Sequence, residues 1–180
     1  MIYTIGHGNR SIEEFIGLLR ETGIECLVDV RAYPASRRHP QFAREALERS
    51  LGEAGIRYLW EGKDLGGRRK LAKDSPHVAL KNPGFRAYAA HMATDEFRQG
   101  VERLVEIGRS TRVCVMCAER LPWECHRNLI SDSLVARGIP VTHVMAPGKA
   151  QPHVLSKLAR RERDTLIYDA GEQLGLGLEP

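Results

Sequence analysis

Short apolar runs alternate along this chain with longer stretches of helical spacing, and this alternation limits the possible folds. Two of the runs, Cys26-Leu-Val-Asp-Val30 and Val113-Cys-Val-Met-Cys117, are apolar at almost every position. Strands without a polar face are typical of parallel sheets that helices cover on both sides. We therefore expect an α/β fold with an open, mostly parallel sheet and helices on both faces, a Rossmann-like three-layer arrangement.

The remaining elements follow from spacing and from cap residues. Ser11-Ile-Glu-Glu14 predicts a capping box at the start of the first helix, and Gly23 predicts its end. The other predicted elements are a first strand at 2–5, strands at 56–60 and 140–145, and helices at 41–54, 85–107 (with a break near 94) and 123–137. The stretch 62–83 has no clear period and predicts a loop or lid over a site.

Length and composition indicate one globular domain. A chain of 180 residues fits a single α/β domain. No apolar run approaches the ~20 residues of a membrane span, and the start has no signal-peptide pattern, so we expect a cytoplasmic protein without a membrane partner. The four cysteines are expected to be reduced thiols. The sequence makes no prediction of oligomeric state.

Reactive side chains follow the ends of the predicted strands, where open parallel sheets bind ligands. The candidates for catalysis are His7, Asp29, Cys117, Glu119 and His126. The candidates for substrate binding are Asn9, Arg10, Arg31, Tyr33, Arg37, Arg38, Gly66, Gly67, Arg68 and Arg127. The net charge of +4 and these arginines favour an anionic small molecule or a nucleic acid as partner.

Several of these residues have two interpretations. Asp29 either orients a neighbouring arginine or acts as a base. His7, which lies between two glycines, either binds a ligand or takes part in catalysis, because an imidazole can titrate near neutral pH. Cys117 is either a nucleophile near a helix N-terminus or a packed side chain at the edge of a pocket. Arg127 in the first turn of a helix opposes the helix dipole, which a bound anion would relieve. The alternative for the arginines is that some of them pair with Asp29, Glu119 or Glu124.

Metal and cofactor sites are not expected. Cys114 and Cys117 lie three apart on a strand and point to opposite faces. Cys125 and His126 would be neighbours on a helix, where side chains diverge by about 100° and do not easily reach one ion. Walker-type and G-x-G-x-x-G loops are not found in the sequence, so no cofactor is predicted.

The order and spacing of several motifs resemble the bacterial and archaeal family known as domain of unknown function 488. These motifs are Tyr3-Thr-Ile-Gly-His-Gly-Asn-Arg-Ser11, Leu27-Val-Asp-Val-Arg31 with Pro34 and Ser36-Arg-Arg38, Gln41-Phe42, Leu65-Gly-Gly67, Phe85-Arg-Ala-Tyr88, Met116-Cys-Ala-Glu119 and Cys125-His-Arg127. Gly8 departs from the serine or threonine that is usual in the family. The resemblance implies a compact α/β domain with a catalytic pocket, without indicating a particular activity. It also implies that 148–180 is a C-terminal extension, similar to one in some members of the family.

Three functions remain open from the sequence. The first is an enzyme that acts on an anionic, phosphate-bearing substrate, a nucleotide or a nucleic acid, at the carboxyl ends of the strands. The second is a non-catalytic nucleic-acid-binding module that uses the basic loops. The third is a thiol or sulfur-transfer enzyme that depends on Cys117.

Overall fold

A computed structural model of the protein describes residues 1–169 and has a six-stranded sheet at its centre. The strand order is β3-β2-β4-β1-β5-β6, in which β1 to β5 are parallel and β6 is antiparallel to β5. The strands are β1 (Ile2–Gly6), β2 (Cys26–Asp29), β3 (Arg57–Trp60), β4 (Val113–Cys117), β5 (Val141–Ala146) and β6 (Lys149–Pro152). The open, mostly parallel α/β sheet expected from the sequence is thus confirmed.

Helices cover both faces of this sheet. They are α1 (Ile12–Glu21), α2 (Arg44–Glu53), α3 (Gly62–Leu65), α4 (Pro83–His91), α5 (Asp95–Ser110) and α6 (Arg127–Ala136). Cys114 packs in the apolar cluster that holds α1 and α2, whereas Cys117 packs in the cluster that holds α4, α5 and α6. The two cysteines therefore point to opposite faces of β4, as predicted. Over residues 1–169, no helix has both the length and the apolar character that crossing a bilayer requires.

The local signals for helix starts are largely confirmed. Ser11 caps α1 by accepting a hydrogen bond from the backbone N–H of Glu14 at 3.1 Å. The Glu14 carboxylate does not complete the capping box, because it lies 3.4 Å from the guanidinium of Arg10 instead. Thr94 caps α5 and separates it from α4, at the position where a break was predicted.

Two predicted helix boundaries are wrong. A 3-10 helix at Pro40–Phe42 precedes α2, so that helix begins later than expected. The predicted helix at 123–137 is two elements: a 3-10 helix at Pro122–Glu124 and, after an extended residue Cys125 (φ −142°, ψ 167°), helix α6. The extended backbone of Cys125 breaks the helical hydrogen-bond pattern. Its side chain therefore does not point where the side chain of a helical residue at this position would point.

A buried hydrogen-bond network joins the C-terminal part of the chain to the sheet and to α6. His153 donates through Nε2 to Asp132 (2.9 Å) and accepts through Nδ1 from His143 (2.9 Å), which in turn accepts from the hydroxyl of Thr4 (2.7 Å). Tyr168 donates to the second oxygen of Asp132 at 2.9 Å. Tyr168 follows a hairpin of β7 (Arg160–Glu162) and β8 (Thr165–Ile167), which the sequence did not predict.

The connections of the sheet create a crevice between β1 and β4. These two strands are neighbours, but their connections run towards opposite edges of the sheet. Helix α1 connects β1 to β2 towards one edge, whereas α6 connects β4 to β5 towards the other edge. The two helices also pack on opposite faces. Such a switch in direction leaves a gap at the carboxyl ends of the strands, which is where open α/β sheets bind ligands.

Candidate active site

A cavity of about 670 Å³ opens at the carboxyl ends of β1, β2 and β4. Its size is within the range of about 300–1,000 Å³ that is usual for small-molecule sites. The predicted residues that line it are His7, Asn9, Arg31, Tyr33, Arg38, Gly67, Arg68, Cys117, Glu119 and His126. The predicted residues Arg10, Asp29, Arg37, Gly66 and Arg127 do not line it.

The loops after β1 and β4 are fastened to each other beneath the cavity. The backbone N–H of His7 donates to the carbonyl of Cys117 at 3.0 Å, and that of Gly8 donates to the carbonyl of Ala118 at 2.8 Å. A Cβ atom at Gly6 would overlap the backbone carbonyl of Glu119. Only glycine at position 6 lets the two loops cross this closely.

Asp29 lies beneath the cavity and orients Arg31. The Asp29 carboxylate is fully buried and accepts hydrogen bonds from the backbone N–H of Arg31 (3.0 Å), from its guanidinium (2.6–3.1 Å) and from the hydroxyl of Tyr58 (2.8 Å). Burial alone would lower the pKa of the Arg31 guanidinium. The hydrogen bonds and the charge attraction to Asp29 outweigh this effect of burial and raise the pKa of Arg31. Of the two interpretations of Asp29, the geometry matches the orienting one.

His7 is held as a neutral ring on the cavity wall. Its Nδ1 donates to the carbonyl of Gly8 at 2.9 Å, and its ring stacks on Phe42 with the centroids 4.3 Å apart. Burial, opposed in part by that backbone bond, lowers the pKa of His7 to about 4. The Nε2 lone pair therefore faces Nη1 of Arg31 at 3.4 Å.

Arg10 and Arg127 differ from the prediction, because their guanidinium groups bind backbone carbonyls away from the cavity. Both side chains are 1 % exposed. Arg10 donates to the carbonyls of Gly6 and Met145, and Arg127 donates to those of Glu119 (3.0 Å) and Arg120 (3.2 Å). They position the loops of the site, so the bound anion predicted for the start of α6 is not needed to explain Arg127.

Four side chains with reactive groups meet on the cavity floor. Cys117 donates through Sγ to Oε2 of Glu119 at 3.0 Å and lies 3.8 Å from Nδ1 of His126. Sγ of Cys125 and Nδ1 of His126 belong to the same group as Sγ of Cys117, with all three atoms within 4.8 Å of one another. Cys117, Cys125 and His126 are buried, whereas Glu119 is exposed at the cavity.

The surroundings of these groups shift their pKa values. Contact with Cys125, burial and the nearby Glu119 raise the pKa of the Cys117 thiol well above its usual range. The same contact lowers the pKa of Cys125. Burial lowers the pKa of His126 to about 4, so its imidazole is neutral at physiological pH. Cys117 is thus a protonated thiol in the protein as described.

A rim of basic and aromatic side chains surrounds this floor. Arg38 and Arg68 are exposed on the predicted loops, and the Arg68 guanidinium lies 5.6 Å from the ring centre of Tyr33. Gly67 lies directly against the ring of His126, because a Cβ atom there would overlap Nδ1. Arg37 is exposed outside the cavity, and Gly66 packs against the carbonyl of Gly62.

The sequence analysis missed several residues of the cavity. These are Ser36, His39, Asn82, Phe85, Arg120, Glu124 and Cys125. Asn82 caps α4 and Phe85 follows in its first turn, so the Asn-Pro-Gly-Phe start of that helix was an available signal. For Cys125 the signal was Pro122, which favours a separate turn before α6.

Comparison with known proteins identifies the family. The family model described as "Domain of unknown function DUF488" matches residues 11–134, so the chain belongs to this family. Comparisons with curated proteins and with solved structures gave no match. The matched segment contains all of the cavity-lining residues except His7, Gly8 and Asn9.

Proposed function

We propose that this member of the DUF488 family is a cytoplasmic enzyme that acts on an anionic, phosphate-bearing substrate, a nucleotide or a nucleic acid, bound in the cavity. One observation carries the proposal: arginines border a cavity whose floor holds a cluster of thiol, carboxylate and imidazole groups. The arginines would bind the phosphate, and the floor would act on the part of the substrate that reaches it.

The charge of the cavity supports an anion. Arg38, Arg68 and Arg120 line it, and none of them is in a salt bridge with another residue of the described part of the chain. Glu119 and Glu124 are the acidic residues that line the same cavity within residues 1–169. The planar guanidinium group donates two parallel hydrogen bonds, a geometry that suits phosphate oxygens.

The aromatic side chains of the cavity support a nucleotide as the phosphate-bearing group. Tyr33 is 69 % exposed at the rim, and Phe85 lines the same cavity. Nucleobases stack on exposed aromatic rings with about 1–3 kcal/mol each.

The buried floor favours an enzyme over a non-catalytic binding module. A module that binds the nucleic-acid backbone needs an exposed basic surface and no buried reactive groups. Here Cys117 and His126 are buried at the base of a concave site, next to a carboxylate that is open to it. For thiol transfer Cys117 would have to ionise, and its surroundings raise its pKa, so this alternative has less support.

The proposal is tested by ligand binding with matched arginine variants. We would titrate the protein with phosphate, mononucleotides and short oligonucleotides by calorimetry, using the double variant Arg38→Ala/Arg68→Ala. Each lost charged hydrogen bond contributes about 1.5–3 kcal/mol, so we expect at least about 10-fold weaker binding of the preferred ligand. Arg109→Ala is the control, because Arg109 pairs with Glu106 on the exposed face of α5 and does not line the cavity.

The same titrations separate the alternatives. If the double variant binds oligonucleotides as tightly as the unchanged protein does and the affinity falls steeply with salt, the basic surface outside the cavity is the binding site. That result would support the non-catalytic module and would contradict the proposed cavity.

A further inference from the structure

We propose that Cys117, Cys125 and His126 form a binding site for a divalent transition-metal ion of the zinc class, with one coordination position open to the cavity. Their Sγ, Sγ and Nδ1 atoms lie within 4.8 Å of one another. Cysteine sulfurs, which release their protons when the metal binds, and an imidazole nitrogen are ligands that zinc prefers in proteins. The metal site does not depend on the proposed substrate, because metal binding can be measured without any substrate.

The backbone around Cys125 makes this convergence possible. The sequence argument against a metal assumed that Cys125 and His126 are neighbours on one helix. Cys125 is instead extended, between the 3-10 helix and α6, and His126 is the residue that precedes α6. The two side chains therefore do not diverge as helical neighbours do, and both reach Cys117 at the end of β4.

The orientation of His126 is that of a metal ligand. Its Nε2 donates to the carbonyl of Val30 at 3.0 Å, which leaves the Nδ1 lone pair free to accept. That lone pair lies 3.8 Å from Sγ of Cys117. Histidines that bind metals almost always donate their second ring N–H to a carbonyl or a carboxylate, and this bond fixes the required tautomer.

The separation of one pair of ligand atoms is close to that of a tetrahedral site. Zn–S bonds of about 2.3 Å and Zn–N bonds of about 2.0 Å at tetrahedral angles place sulfur and nitrogen about 3.5 Å apart. The distance between Sγ of Cys117 and Nδ1 of His126 is 3.8 Å. All three ligand atoms lie within 4.8 Å of one another, so small movements of the side chains would bring them to one ion.

The ligand count and the position of the cluster favour a catalytic metal over a structural one. Structural zinc sites have four protein ligands, whereas catalytic sites have three and leave the fourth position for water or substrate. All three side chains line the cavity, and the exposed carboxylate of Glu119 lies beside Cys117. We assign Glu119 a role outside the ligand set, because its carboxylate is not among the three ligand groups that converge.

The experiment measures the metal itself. The metal-free protein is titrated with Co²⁺, which reports thiolate ligands through a charge-transfer band and tetrahedral geometry through intense visible bands, and then with Zn²⁺ in competition. We expect each chain to bind one equivalent of Co²⁺ and one equivalent of Zn²⁺ to displace it. Cys117→Ala, Cys125→Ala and His126→Ala should each weaken binding by at least about 100-fold, which is the upper end of the effect of a supporting residue.

Two matched variants sharpen the result. Cys114→Ala removes a buried thiol from the same strand but from its other face, and it should leave the cobalt spectrum unchanged. Glu119→Gln should keep the stoichiometry and both bands; loss of the metal in this variant would overturn the role assigned to Glu119.

The site itself would be overturned if the unchanged protein bound no Co²⁺ or Zn²⁺, or if Cys114→Ala weakened binding as much as Cys125→Ala. If the ligand variants do not fold, X-ray absorption of the zinc-loaded unchanged protein decides, because two sulfur ligands are required. Failure of the metal site is distinguishable from failure of the proposed function, since Arg38→Ala/Arg68→Ala should bind one Co²⁺ whatever its affinity for phosphate.

Discussion

Replacing Asp29 by asparagine should destabilise the protein strongly. The change keeps the shape of the side chain but removes the charge that faces Arg31, which is only 6 % exposed. Removing one partner of a buried ion pair leaves an uncompensated charge and costs about 3–5 kcal/mol. With a urea m-value of about 2 kcal/mol/M, the unfolding midpoint should fall by about 1.5–2.5 M.

Urea unfolding followed by circular dichroism measures this change, and two further variants separate its causes. Tyr58→Phe removes one donor to Asp29 but keeps the ion pair, so its cost should be smaller, about 1.5–3 kcal/mol. Asp29→Asn/Arg31→Met removes both charges and should be more stable than Asp29→Asn alone. A cost below about 1 kcal/mol for Asp29→Asn, or a double variant no more stable than Asp29→Asn, would refute the reasoning.

Two other predictions concern stability. Burial lowers the pKa of His143 to about 3, below the unfolded value of about 6.5, so the unfolded state binds the proton first and stability falls as pH drops from about 6.5 towards 3. The contribution of His143 to this loss should be about 1–2 kcal/mol at pH 5, measured by urea unfolding as the difference between the unchanged protein and His143→Gln. The same pH dependence in the two proteins would contradict it. Gly67→Ala places a methyl group against the His126 ring and should cost about 1–3 kcal/mol of stability. Gly17→Ala is the control, because open space surrounds Gly17 and the change should not destabilise the protein. Equal melting temperatures for the two variants would disprove the contact.

Patterns that depend on neighbouring residues could be predicted from the sequence. The apolar runs identified β2 and β4, because every residue of these two strands is buried and the run of apolar residues is visible within each strand. Ser11 and Thr94 were found because a helix cap involves only the next three residues. The place of the cavity followed from the rule that parallel strands present their carboxyl ends at one edge.

Features that depend on distant contacts could not be predicted. The carbonyl partners of Arg10 and Arg127 are contributed in part by strand β5 and by the loop after β4, and no sequence pattern shows which carbonyls remain unpaired there. The turn at Cys125 interrupts a segment whose composition suits a helix. The exposed strand β6 has no alternation, because no residue of it is buried.

The buried network around Asp132 affects where this chain can be shortened. The family match ends at residue 134, yet the carboxylate of Asp132 accepts hydrogen bonds from His153, from the backbone N–H of Ser156 and from Tyr168, all of which lie beyond that point. A chain cut at the family boundary would lose all three donors to a carboxylate that is fully buried in the intact structure. We therefore expect the minimal folding unit of this protein to extend beyond the family domain, at least to Tyr168.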